Sequence, residues 1–152
     1  MATVTLEKIE AKQNELEQLI AKFKAEAKTT FGLPEFEIEL AHGEHYAGII
    51  LGKNGEPSHH VILLPGEAES VNWKDAKAFA EKAGGELPTR REQSLLYANP
   101  KEEFSNNWYW SGEEHASASG CAWGQVFLNG TQGYYGKGSN LRARAVRRLE
   151  IQ

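Results

Sequence analysis

Gly84-Gly85-Glu86-Leu87-Pro88-Thr89-Arg90-Arg91-Glu92 decides how this chain is read. Thr89 and Glu92 have the Thr-x-x-Glu spacing of a capping box, in which each side chain satisfies an otherwise unpaired backbone N–H. Pro88 biases Leu87 toward an extended conformation, and the glycine pair ends whatever helix precedes it. The stretch therefore predicts a helix closing at Gly84, a short extended crossing at Leu87, and a second helix opening at Thr89.

Both neighbours agree. Upstream, Asn72 is an N-cap candidate, and Trp73, Ala76, Phe79, Ala80 and Ala83 follow at helical spacing. Downstream, Leu95, Leu96 and Ala98 give the second helix an apolar face, which Asn99-Pro100 ends. Ahead of this pair, 45–51 and 59–64 read as strands around a turn with Asn54-Gly55 at its centre. Alternation of Phe36, Ile38 and Leu40 with glutamates predicts another strand. Behind the pair, Trp108 and Trp110 alternate around Tyr109. Residues 122–128 and 131–135 then predict a hairpin with Asn129-Gly130 as a two-residue turn, and 141–149 reads as one closing strand. The expected class is α+β.

The N-terminal region has a different pattern. Residues 5–28 contain neither glycine nor proline and predict one helix, a rod about 35 Å long at ~1.5 Å per residue. Leu6, Gln13, Ile20 and Ala27 fall at a positions of a heptad, and Ile9, Leu16 and Phe23 at d, with charged neighbours flanking the seam. A helix this polar elsewhere needs a partner for its stripe. Self-association through Leu6, Ile9, Gln13, Leu16, Ile20 and Phe23 is the expectation. Thr29, Thr30, Gly32 and Pro34 mark the boundary, dividing the chain into a helix at 1–30 and a domain at 31–152.

Composition bounds the function. A chain of 152 residues that is 40% hydrophobic can bury a sizeable core. A net charge of −4 argues against nonspecific nucleic-acid binding, which needs a basic surface. Arg142, Arg144, Arg147 and Arg148 do crowd the C-terminus, but period two splits them, and 21 acidic against 17 basic residues favour pairing with glutamates. The single cysteine, Cys121, excludes an intramolecular disulfide framework. It lies in no recognised hydrolase signature and reads as an ordinary small residue. No apolar run matches a membrane span, and Met1-Ala2-Thr3 opens no signal-peptide core, so no membrane insertion is expected.

Asn72-Trp73-Lys74-Asp75-Ala76, Gly85 to Glu92, Trp108-Tyr109-Trp110-Ser111 and Arg142 to Arg148 together resemble a C-type-lectin-like domain over about residues 44–149. More narrowly, they resemble bacterial and prophage-encoded domains of that fold with no assigned function. Retroelement-diversified phage receptor-binding proteins and the formylglycine-generating enzymes are related in fold. The resemblance implies a C-type-lectin-like fold carried on a coiled-coil helix, with ligands bound by the late sheet and its loops. It favours a trimer over a dimer, and the host cytoplasm or a virion as location. Two departures matter. The Glu-Pro-Asn or Gln-Pro-Asp loop and Trp-Asn-Asp strand of calcium-dependent sugar sites are absent. The cysteine pair of the formylglycine-generating enzymes cannot be supplied by Cys121 alone. No enzyme activity and no cofactor are therefore expected.

Candidate residues follow from the late region, where Trp108, Tyr109, Trp110, Trp123, Phe127, Tyr134 and Tyr135 fall among small polar groups, a combination typical of adaptable binding surfaces. Trp108 or Trp110, and Trp123, are expected in the core. Asn107, Tyr109, Glu113, His115, Gln125, Phe127, Asn129, Gln132 and Tyr134 are expected to form the ligand surface. His42, Glu44, His45, His59 and His60 are close in sequence, but His59 and His60 point to opposite sides of a strand, so no metal site is expected. Glu113-Glu114 reads as solvated rather than as a catalytic pair. The expected function is a noncatalytic, oligomeric phage or prophage recognition protein for a protein or glycan ligand. The alternative is an intracellular phage-encoded inhibitor that binds a host defence protein.

Overall fold

A computed structural model describes residues 3–27, 32 and 35–152. Among them are three α-helices and two sheets, and the chain falls into two units, one through Glu37 and one from Ile38. The first unit holds α1 (Leu6–Glu26), capped by the Thr5 hydroxyl, which accepts from the Lys8 amide at 3.3 Å. Ala27, expected at an a position within the helix, is instead its C-cap. Residue 28 and the expected boundary positions 29, 30 and 34 lie outside the described residues. No residue of α1 is buried: Leu6, Ile9, Leu16 and Leu19 are exposed, and Phe23 is 73% exposed.

The second unit opens with β1 (His45–Ile50) and β2 (His59–Leu63), antiparallel as expected, with Asn54 and Gly55 both at positive φ in the turn. Phe36 to Leu40 is not a strand. Its alternation marks faces, but without a neighbouring strand to pair with it no ladder forms. A strand not foreseen, β3 (Ala68–Val71), precedes α2 (Trp73–Lys82) and α3 (Arg90–Ala98). After a short 3₁₀ turn come β4 (Trp108–Glu114), β5 (Cys121–Val126), β6 (Gln132–Gly136), β7 (Leu141–Ala143) and β8 (Val146–Glu150). One sheet has the order β1-β2-β8, the other β3-β7-β4-β5-β6.

The crossing behaves as its residues require. Asn72 Oδ1 accepts the Asp75 amide at 2.9 Å to start α2, and Gly84 ends it at φ +93°. At Gly85 the chain runs so close to β8 that an added Cβ would stand 2.1 Å from the Val146 carbonyl. Glu86 and Val146 then exchange two backbone hydrogen bonds of 2.9 Å, which tie the crossing to β8. Thr89 and Glu92 complete the capping box: the Thr89 amide donates to Glu92 at 2.8 Å, and the Glu92 amide to Thr89 Oγ1 at 3.2 Å.

Two stretches fold differently from expectation. The closing strand over 141–149 breaks at Arg144-Ala145 into β7 and β8, which belong to different sheets. There the Leu64 amide takes the Ala145 carbonyl, and the buried Arg144 guanidinium donates to the carbonyls of Glu103 (2.7 Å) and Leu64 (2.9 Å). The β5–β6 turn is wider than two residues, because the Gly130 amide bonds back to the Val126 carbonyl and Phe127 rolls into the core.

The core is double. Trp110 packs with Trp73, Leu87 and Ala122 on one side of β4, and Tyr109 with Phe127, Leu96 and Val61 on the other. Each such fully buried apolar side chain stabilises the fold by about 1.5–3 kcal/mol. β4 lies in the middle of its sheet, so the alternation that separates a core face from a solvent face elsewhere here separates two cores.

Candidate functional site

The register of β4, β5 and β6 places Tyr109 opposite Gln125, Gln125 opposite Gln132, and Trp123 opposite Tyr134. These five side chains share one sheet face, and α3 lies across half of it. Gln93 of α3 donates to the Tyr109 carbonyl at 3.1 Å and accepts from Gln125 at 2.8 Å through its own carbonyl. Tyr109, Gln125 and Phe127, expected on the ligand surface, are therefore buried. Tyr109 gives its hydroxyl hydrogen to Glu67, and Phe127 stacks on Phe104 with ring centroids 3.9 Å apart.

Beyond the start of α3 the same face opens. Trp123, expected in the core, is only half-buried and meets Tyr134 edge to face at 5.4 Å. His115 stacks on Trp123 at 5.1 Å and lies 4.3 Å from the Tyr134 ring. Its Nδ1 accepts the amides of Ser117 (3.2 Å) and Ala118 (3.1 Å), which fixes the ring and leaves the proton of a neutral imidazole on Nε2. Tyr134 is 53% exposed.

Arg90 joins this cluster to α3. Its guanidinium carbon stands 3.6 Å over the Trp123 ring, and its Nε donates to Gln132 Oε1 at 3.0 Å. Gln132 in turn donates to the Arg90 carbonyl (2.8 Å) and to Gln125 (3.0 Å), while Glu113 accepts the Arg90 amide at 2.5 Å. Of the nine expected surface residues, Glu113, His115, Gln132 and Tyr134 meet in this one region. Asn107 and Asn129 are exposed at the opposite end of the β4–β5 pair, next to the turn. Arg90 went unforeseen, since only the fold brings it over a ring 33 positions later in the chain (123 − 90).

Behind the region lies a network centred on Glu92, which is fully buried. Burial would push its carboxyl up, but the Arg148 hydrogen bonds, the Thr89 amide, the Arg148 charge and the His59 hydrogen bond prevail and lower it to about 2. Glu92 is therefore ionised and only accepts. His59 Nε2, 2.9 Å away, must donate to it, which leaves Nδ1 of a neutral ring as an acceptor. Of the other terminal arginines, Arg142 pairs with Glu67 at 2.7 Å and Arg147 with Glu44 at 2.7 Å, whereas Arg144, expected to pair with a glutamate, donates instead to the backbone carbonyls of Glu103 and Leu64. Among the described residues, no three of His, Cys, Asp and Glu converge as a metal ion would require, and no helix is long and apolar enough to cross a membrane.

Neither a family model nor a curated protein matches this chain. The geometry of the open face thus carries the functional reading.

Proposed function

We propose that this chain is a noncatalytic recognition protein with a C-type-lectin-like domain, which binds a protein or glycan ligand through the open half of its late sheet. The observation that carries this reading is the Trp123–Tyr134–His115 cluster. Three rings pack against one another with Tyr134 open to solvent, while α3 covers Tyr109 on the same sheet face. Rigid aromatic area beside Glu113, Gln132 and Arg90 suits hydrogen bonding around a stacked ligand, at low cost in side-chain entropy. The wholly exposed apolar seam of α1 supports self-association, with three strands preferred, and several linked sites would then raise the avidity of weak contacts. The motif resemblance supports a phage or prophage setting, in a virion or in the host cytoplasm.

Binding of the full chain to bacterial envelope preparations, compared with a Trp123→Ala/Tyr134→Ala variant of equal stability, tests the reading. Envelope binding that disappears in the variant supports it. Equal binding by both proteins would remove the proposed surface. A stoichiometric complex with a cytosolic protein, and no envelope binding, would favour the inhibitor reading instead.

A further inference from the structure

Next to the aromatic cluster, the start of α3 forms a cleft of about 480 Å³ with the β1–β2 loop and β6. Its lining includes His59, Arg90, Arg91, Glu113 and Glu56. Three polar groups converge there with unused capacity. The terminal nitrogens of Arg90 have no partner among the described residues, although its ring contact with Trp123 and its Nε bond to Gln132 hold the guanidinium in place. His59 Nδ1 has no partner either, and its ring is fixed through Nε2 by the buried Glu92. Glu113 uses one carboxylate oxygen on the Arg90 amide and leaves the other open.

We propose that this cleft is a subsite for a carboxylate-bearing sugar of an acidic glycan. The Arg90 fork takes the sugar's carboxylate in two parallel hydrogen bonds, while His59 Nδ1 and the free Glu113 oxygen accept from its hydroxyls. The inference rests on the recognition reading above and specifies its ligand. A planar fork with both terminal nitrogens unused matches a carboxylate. Glu56 and Glu113 in the same cleft repel a doubly charged phosphate more than a singly charged carboxylate. Two acceptors beside the fork require a ligand that carries donors next to its anionic group, as a uronic acid does. Because packing already holds Arg90 and His59, little side-chain freedom is lost on binding.

The full-length protein would be titrated with methyl glucuronide, methyl glucoside and an acetylated dipeptide with a free carboxylate, followed by NMR of the Arg90 Nε–H and the His59 ring. Expected are saturable shifts of both signals with the glucuronide, and binding about tenfold or more weaker for the glucoside. Arg90→Gln should lose about the same factor, and Arg90→Lys, which keeps the charge without the fork, should lose less. Melting curves show whether each variant is folded. If Arg90→Gln does not fold, the ratio between the two sugars on the unaltered protein still decides. Equal affinity for both sugars, no shift with either, or equal affinity for the dipeptide and the glucuronide would each overturn the subsite. Should that happen while Trp123→Ala/Tyr134→Ala still abolishes envelope binding, the recognition face stands and only its ligand class falls.

Discussion

Glu92 and Arg148, 56 residues apart, meet in a two-point hydrogen bond: Arg148 Nε donates to Oε2 at 2.7 Å and its terminal nitrogen to Oε1 at 2.8 Å. The same carboxylate caps α3 through Thr89 and anchors His59 of β2. One side chain thus joins a helix start, an inner strand of the three-stranded sheet and the last strand.

Acid should reveal this junction. The Glu92 carboxyl is lowered from 4.5 to about 2, so its stabilisation is complete above pH 4.5 and is lost as pH falls toward 2. By linkage this is worth roughly 3 kcal/mol. Urea unfolding followed at several pH values should show stability falling over that window. Glu92→Gln should flatten the profile there and cost about 3–5 kcal/mol at neutral pH, because Arg148 loses its buried partner.

The crossing gives a steric test. Gly85→Ala forces a Cβ against the Val146 carbonyl and should destabilise by about 3 kcal/mol, since two backbones must move apart. Gly120→Ala meets nothing within 4 Å and should stay within about 0.5 kcal/mol of the parent. Comparable denaturation midpoints for the two variants would contradict the close approach.

Covered and open aromatics should respond differently to truncation. Tyr109→Ala and Phe127→Ala empty buried volume and should each cost about 3–5 kcal/mol. Tyr134→Ala removes a half-open ring and should cost about 1 kcal/mol or less while weakening ligand binding. Thermal melts of the three variants provide the comparison.

The α1 seam predicts oligomer loss from a single charge. Leu16→Asp in the full chain places a carboxylate at a d position and should convert the assembly to monomer in analytical ultracentrifugation. Its helical circular dichroism should also fall, since an isolated helix of this length is marginal in water. A parent protein that already sediments as a monomer would dispose of the seam as an interface.

Local chemistry was legible in the chain. Asn72, Thr89 and Glu92 act within three residues of themselves, so both helix starts could be read from spacing alone. Gly84 ends α2 for the same local reason. Pairing of Arg142, Arg147 and Arg148 with glutamates also followed from charge balance, although not which glutamate each would take, nor that Arg144 would bond main-chain carbonyls instead.

Coverage was decided by tertiary structure. Alternation assigns a residue to one side of a strand, but not what lies over that side. α3 shields Tyr109 and Gln125 and leaves Trp123 and Tyr134 open on the same face, a difference that depends on where a nine-residue helix begins. The division of 141–149 between two sheets arose in the same way, from the buried Arg144 and its distant carbonyl partners. Period and capping are properties of neighbours in the chain, whereas exposure and strand partnership depend on residues dozens of positions away.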